Sequence, residues 1–480
     1  MKISASSILS NFIWRFFERI GAQLVGAIVS IVLARILLPS EYGVVALMNV
    51  FITILAVFVE GGFSSALIQK KDADDTDFSS VFYMQMGLCI GLYIILFFVS
   101  PLIANFYNQP DMKTMMKVLG LTLIIAGVKN IQIAYVSRHM MFRKFFFATL
   151  GGTIGAAVVG IGMAIAGCGA WALVGQSLFN NTVDTIILWV TVEWRPKRCF
   201  SISRVKELFS YGWKLLVSAL LDTGYNNLRS LVIGKIYSSS DLAYFDQGNK
   251  WPFLVISNVN TSIDSVLLPS MSSAQDNKVR VKNMTRRAIK MSTYIMAPLL
   301  MGLAFCGEPV VKILLTEKWL PCVPFMRIFC ITYMFYPIHT ANLNAIKAMG
   351  RSDLFLKLEI IKKAYGILLL IISAPISVMA MGYSLLVSSV LSQIVNTWPN
   401  KKLLDYSYLE QLKDIAPGIL LAVFMGACVY WLKFLPLNSG MILIIQILLG
   451  ALIYLGGSYI FKMESYVYIC DLIKGYIKRK

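Results

Sequence analysis

Lys250 lies in a stretch whose polar residues recur at helical intervals. Asp246, Lys250, Ser257, Thr261 and Asp264 are spaced 4, 7, 4 and 3 residues apart. On a helix that spacing gathers them into one stripe, leaving Trp251, Phe253, Leu254, Val255 and Ile256 to the other faces. Just upstream, Asp222, Asn226 and Arg229 follow the i, i+4, i+7 pattern. Near the start, Arg15, Arg19 and Gln23 share a face at i, i+4, i+8, with Glu18 between them. Cations so placed suit capture of an anion, and neighbouring carboxylates suit uptake of a proton or cation. Ionisable groups inside apolar helices are costly, so a functional role is their default reading. Blander readings stand beside it. Arg15 and Arg19 are close enough to a helix end to snorkel to headgroups. Asp222 and Arg229 could be a pair that only joins two helices. The Lys250 segment could be a surface amphipathic helix.

Other polar residues carry weaker signals. Glu60 reads as an interfacial carboxylate near Lys70 and Lys71; Lys129 with Asn130, and His339 with Asn342, interrupt apolar runs. A lone histidine there is more often a packing group than a proton relay. The eight cysteines form no CxxC and have only two histidines beside them, so no metal site is readable and no cofactor is expected. No nucleophile–base pair or paired-carboxylate motif appears, and the reading is not an enzyme.

These residues are set in a chain that is 57% hydrophobic and only 14% charged, against about 25% charged for soluble domains. A spanning helix needs about 20 mainly apolar residues. On that basis about fourteen spans follow one another, near 12–34, 43–68, 79–104, 114–136, 146–166, 169–192, 208–234, 242–268, 286–306, 324–346, 355–375, 377–398, 414–434 and 438–461. The eighth is polar enough for a hydropathy window to miss. Trp319 and Trp398, near span ends, read as interfacial belt residues. The longest loop is expected near Ser270 to Thr285. The formal net charge of +19 is distributed unevenly. Alternate loops hold Lys70 and Lys71; Arg138, Arg143 and Lys144; Arg195, Lys197 and Arg198; Arg286 and Arg287; Lys401 and Lys402. The others hold little beyond Arg35, Lys113, Lys235, Lys312, Lys318 and Lys433. Positive charge collects in cytoplasmic loops, so both termini are placed in the cytoplasm, and the basic loops need no nucleic acid to explain them.

The chain also repeats weakly at a shift of about 200 residues. Ala34-Arg35-Ile36 lies over Gly234-Lys235-Ile236, Ser40-Glu41 over Ser240-Asp241, and Asn49 over Asn249. Later, Met141-Phe142-Arg143 lies over Met349-Gly350-Arg351. The reading is an all-α polytopic membrane protein of two pseudo-symmetric six-helix lobes. The N-lobe is 1–192, a basic linker 193–207, the C-lobe 208–398, and two further helices with a basic tail fill 399–480. Parallel repeats of this kind usually flank a central cavity and work by alternating access.

Leu33-Ala34-Arg35-Ile36-Leu37-Leu38-Pro39-Ser40-Glu41-Tyr42-Gly43 resembles the first-loop signature "LAR.L.P.eyG" of the multidrug/oligosaccharidyl-lipid/polysaccharide (MOP) flippase superfamily. Glu60-Gly61-Gly62-Phe63-Ser64-Ser65-Ala66-Leu67-Ile68-Gln69 resembles the end of the second span in Wzx-type polysaccharide exporters, most similar to the lipopolysaccharide/colanic-acid branch. The resemblance covers the whole chain and implies a MATE-like fold in the bacterial inner membrane. It implies a flippase that moves a polyprenyl-pyrophosphate-linked oligosaccharide from the cytoplasmic to the periplasmic leaflet. Partners would be that lipid, the bilayer, and a polysaccharide polymerase with its assembly machinery. Lys250, Arg229, Arg15 and Arg19 would then meet the pyrophosphate. Asp222, Asn226, Asp246, Asp264 and Glu18 would line the cavity or couple an ion. A cation-coupled multidrug exporter and a peptidoglycan-precursor flippase share the fold; a membrane glycosyl polymerase or ligase is the alternative of a different class.

Overall fold

The structure, a computed structural model, describes the backbone of residues 5–60, 62–70 and 72–477. The side chains at 5–13, 15–19, 60, 65, 211, 472, 473 and 475–477 lie outside that description. In lipid every backbone N–H and C=O needs an internal partner, which an apolar segment achieves only as a helix or a closed barrel. The described elements are helices. In chain order they are α1 (Ala5–Ile36), α2 (Pro39–Glu60), α3 (Phe63–Gln69), α4 (Asp75–Phe106), α5 (Met112–Arg138), α6 (Phe142–Ile165), α7 (Trp171–Thr191), α8 (Ile202–Ile236) and α9 (Ser239–Ser272). There follow α10 (Lys278–Phe305), α11 (Gly307–Leu314), α12 (Val323–Met334), α13 (Tyr336–Ala348), α14 (Ser352–Ser373), α15 (Val378–Leu403), α16 (Tyr408–Tyr430), α17 (Ser439–Ile460) and α18 (Glu464–Ile477). The expected spans lie on helices, the second of them, 43–68, divided between α2 and α3; nine segments among the described residues are long and apolar enough to cross a bilayer. The segments containing α1, α7, α8, α9 and α14 are not among those nine.

Two compact units divide the chain, Met1–Ala243 and Tyr244–Lys480. The division falls after α8, later than the basic linker 193–207. In the first unit α6 packs on α1 and α7, α5 on α4 and α7, and α8 on α2, α3 and α4. In the second, α10 packs on α12, α13 and α16, α15 on α12, α13 and α14, and α17 on α16. Apolar side chains cover the outside: Ile94, Ile95, Phe98 and Leu102 of α4, and Ile444, Ile447, Leu448, Leu452 and Leu455 of α17, are exposed. Amides lie inside. Buried Gln85 donates to the Val59 carbonyl at 3.1 Å, and buried Gln446 to the Val429 carbonyl at 2.9 Å. Greasy outside and amides inside is the arrangement that lipid as solvent favours.

Several local expectations are corrected. The stretch 270–285 is mostly helix, because α9 continues to Ser272 and the Asn277 side chain caps α10 by accepting from the Arg280 N–H at 2.9 Å. The tenth span is two helices, α12 and α13, broken at Phe335 just before Pro337. Trp319 is fully buried, edge-on to Tyr244 at 6.1 Å, and so is a packing residue and not a belt residue; Trp398 is 66% exposed. Of the cysteines, Cys89, Cys306, Cys322 and Cys330 are buried, and Cys168 is exposed.

Candidate functional site

The repeated sequence motifs do one physical job twice. α1 ends at Ile36 and α8 at Ile236; α2 begins at Pro39 and α9 at Ser239. At the first junction the Glu41 carboxylate accepts the Leu38 N–H at 2.7 Å. At the second, Asp241 accepts from Ser238 N–H at 3.2 Å and from its hydroxyl at 2.6 Å, while the Ser238 hydroxyl accepts the Asp241 N–H at 3.1 Å. The acid three residues into each helix thus satisfies donors that the helix start leaves unpaired. Gly43 explains itself by proximity: a Cβ there would overlap the Ser239 carbonyl oxygen, since α2 and the start of α9 touch backbone to backbone.

The residues singled out for chemistry divide between the two units. Asp222 and Asn226 are exposed on α8, and Arg229 is half-buried one to two turns on; all belong to the first unit. Asp246 and Lys250 are half-buried on α9 in the second, with Ser257, Thr261 and Asp264 further along its stripe. α9 is tied down beside that stripe. Tyr333 donates to Asn249 at 2.7 Å, Thr340 to Asn260 at 2.5 Å, and Asn344 to Asp264 at 2.5 Å. Asp264 therefore has a structural partner on α13. The side chains of Arg15, Glu18 and Arg19, and that of Glu60, lie outside the described residues. His339 is buried, with its Nδ1 2.9 Å from the Asn396 amide. Nearby, Asn342, Asn400, Gln411 and Thr397 form a buried polar knot joining α13, α15 and α16. The packing role expected of His339 suits that setting. Among the described residues no group of three or more His, Cys, Asp or Glu could hold a metal.

The basic stretch 193–207 is stitched to the start of α4. Trp194 donates to Asp75 at 3.0 Å, Lys197 pairs with Asp75 at 2.6 Å, and the Lys197 and Ser201 N–H groups donate to Ser79 and Ser80, each at 2.9 Å. Arg204 pairs with Asp74 and, at 3.2 Å, with Asp77, while Lys70 bridges Asp77 and Glu207, each at 3.2 Å. The backbone hydrogen bond with Asp77, then the Arg204 guanidinium, holds the Asp74 carboxyl below its usual range. The hydrogen bond to Asp75 raises the Lys197 ammonium above its own.

Sequence reasoning missed a polar face on α7. Lys129 of α5 pairs with Asp184 at 3.0 Å and donates to Asn181 at 3.2 Å. Gln176, Ser177 and Asn180 continue that face and, with Tyr42, Asn49 and Thr153, line a cavity of about 340 Å3 inside the first unit. The spacing 176, 177, 180, 181, 184 is helical and could have shown the face; its partner Lys129, 55 positions away, could not be read from it. A larger trough of about 870 Å3 lies in the second unit, away from the α9 stripe. Pro417, Leu420, Leu421, Phe424, Leu452 and Ile453 line it, with Lys290, Lys413, Asp414 and Glu464 at its rim.

Against solved structures the chain is similar to the lipid II flippase MurJ in an inward closed conformation, at 17% identity and a TM-score of 0.77, covering 94% of this chain and 98% of that one. It is also similar to an inward-facing MATE family multidrug resistance transporter of the MOP superfamily, at 15% identity and a TM-score of 0.63, covering 83% and 95%. The fold is thus the multi-pass, all-helical fold of the MOP superfamily. The chain belongs to the family described as polysaccharide biosynthesis protein, whose profile matches residues 32–324. Among its relatives are the teichuronic acid biosynthesis protein TuaB of Bacillus subtilis (strain 168), 22% identical over 83% of this chain and 84% of that one. The lipopolysaccharide biosynthesis protein WzxC of Escherichia coli (strain K12) is 22% identical over 78% and 75%. The succinoglycan biosynthesis transport protein ExoT of Rhizobium meliloti (strain 1021) is 22% identical over 69% and 67%.

Proposed function

We propose that this membrane protein is a flippase that carries a polyprenyl-pyrophosphate-linked oligosaccharide from the cytoplasmic to the outer leaflet of the bacterial inner membrane by alternating access. Its fourteen helices group as two six-helix lobes plus two, with both termini cytoplasmic. The observation that carries this reading is the one-sided polar stripe of α9, centred on Lys250, in a chain of the polysaccharide biosynthesis family. A half-buried lysine there offers a cation to a diphosphate; Arg229, Arg15 and Arg19 stand as further candidate cations. Asp222, Asn226, Asp246, Asp264 and Glu18 supply polar lining and carboxylates for coupling to an ion. The apolar trough with its charged rim supports a substrate with a long hydrocarbon tail. Transport proteins of polysaccharide biosynthesis are among the relatives, which favours translocation over glycosyl transfer. A polysaccharide polymerase and its assembly machinery would receive the product.

Deleting the gene in its host tests the proposal. The expected result is loss of a surface polysaccharide with its complete lipid-linked repeat unit accumulating on the inner leaflet. Accumulation of an incomplete or unpolymerised repeat unit on the outer leaflet would assign the chain to synthesis or polymerisation instead.

A further inference from the structure

The cavity between α2, α6 and α7 differs chemically from the α9 stripe. Its polar lining is Tyr42, Asn49, Thr153, Gln176, Ser177 and Asn180, all uncharged. Behind the Gln176–Asn180 face, Lys129 and Asp184 are paired with each other at 3.0 Å. The chamber is therefore polar and locally neutral, a poor site for a diphosphate and a poor site for hydrocarbon.

Its amides are also available. Elsewhere on α7, three polar side chains turn back on their own helix. Asn181 donates to the Ser177 carbonyl at 2.9 Å, Thr182 to Leu178 at 2.7 Å, and Thr185 to Asn181 at 2.7 Å. Among the described residues, the Gln176 and Asn180 amides have no such partner, and both face the cavity. Glycines on α6 keep them there at close range. A Cβ at Gly152 would come within 2.9 Å of Asn180 Oδ1, and one at Gly160 within 3.0 Å of the Gln176 Cβ. Each amide presents two donors and an acceptor. Sugar hydroxyls, which donate and accept at once, are the matching chemistry, and the Tyr42 ring supplies an apolar face for a sugar's C–H groups. The volume of about 340 Å3 is at the lower end of the roughly 300–1,000 Å3 of small-ligand sites, which suits part of an oligosaccharide and not the whole.

We infer that this chamber is a glycan subsite: Gln176 and Asn180 bind hydroxyls of a sugar in the carried oligosaccharide and set which repeat units are accepted. The inference rests on the flippase reading and adds a separate place for the sugar. It is tested with full-length protein in sealed vesicles and two probes: a polyprenyl diphosphate bearing one N-acetylglucosamine, and the same lipid bearing a tetrasaccharide. Protection from an impermeant lectin reports the leaflet. Wild type should move both. Asn180→Leu and Gln176→Leu should slow the tetrasaccharide lipid about ten-fold, the equivalent of one to two lost hydrogen bonds. They should leave the single-sugar lipid within about two-fold, a comparison that also serves as the control for folding. Equal slowing of both lipids, or none of either, overturns the subsite. A wild-type protein that moves neither lipid overturns the flippase reading itself.

Discussion

The Lys129–Asp184 pair allows a quantitative test of what polar groups cost inside this fold. The two side chains are only 16% and 19% exposed, and Asn181 gives the ammonium a second acceptor at 3.2 Å. At an effective dielectric constant near 20, charges about 3 Å apart attract by roughly 5 kcal/mol before desolvation is subtracted. Desolvation cancels most of this, so the pair as a whole adds little. Removing one member is different, because it strands the other charge; Asp184→Leu should destabilise the protein by about 3–5 kcal/mol. Replacing both, as Lys129→Met with Asp184→Leu, should return stability to within about 1 kcal/mol of wild type. The assay is equilibrium unfolding in mixed micelles of Asp184→Leu, Lys129→Met and the double variant; with each single loss about 3–5 kcal/mol and the double near zero, the coupling is expected to be about 5 kcal/mol or more. An Asp184→Leu variant as stable as wild type, or a double variant showing the sum of the single losses, would refute the view that the pair neutralises itself beneath the α7 cavity.

Lys250→Ala should reduce transport by about ten-fold or more while membrane abundance stays normal, the loss expected for a charge-assisted contact to an anion; parallel immunoblots distinguish this from misfolding. Gly43→Ala should lower abundance and thermal stability, by an amount in the range of about 1–3 kcal/mol or more for overpacking, because its Cβ would overlap the Ser239 carbonyl; a variant of unchanged melting temperature would contradict that contact. The linker clamp should be insensitive to pH across the neutral range. The native Asp74 carboxyl lies below its ordinary 3.8, so its stabilisation is fully present above that value and is lost as pH falls through the depressed one. Protection factors for amide exchange at residues 193–207, corrected for the intrinsic dependence of exchange on pH, should be unchanged from pH 7 to 5 and fall only in stronger acid; a lower protection factor between pH 7 and 5 would show that another group controls the clamp.

Much of the architecture was legible because the physics behind it is local. An apolar run of about 20 residues must become helix in lipid, and nine segments among the described residues are helices long and apolar enough to cross a bilayer. The repeat of Ser40-Glu41 by Ser240-Asp241 was visible because an acid at the third helical position caps its own helix start. What failed was set by long-range packing or by water. α8 and α9 extend past their apolar runs, to Ile202 and Ser272, since a helix outside the bilayer no longer needs apolar residues. The break at Phe335 interrupts a continuous apolar run; Pro337 was its one local sign. Trp319 at a span end looks like any interfacial tryptophan until Tyr244 is seen packed against it. At the candidate site, helical spacing placed Asp246, Lys250 and Asp264 along α9, but the bond that ties Asp264 to α13 comes from Asn344, 80 positions further on. The α7 face was overlooked although it holds Asp184, because the lysine that pairs with that residue comes from another helix and Gln176 and Asn180 carry no charge.

Translocation itself is the central claim, and sealed vesicles containing only this protein and the host's own lipid-linked oligosaccharide address it directly. Protein-dependent appearance of the intact, chemically unaltered lipid on the opposite leaflet is the expected outcome. A lipid that stays where it began, or a sugar whose glycosidic bonds have changed, would contradict it.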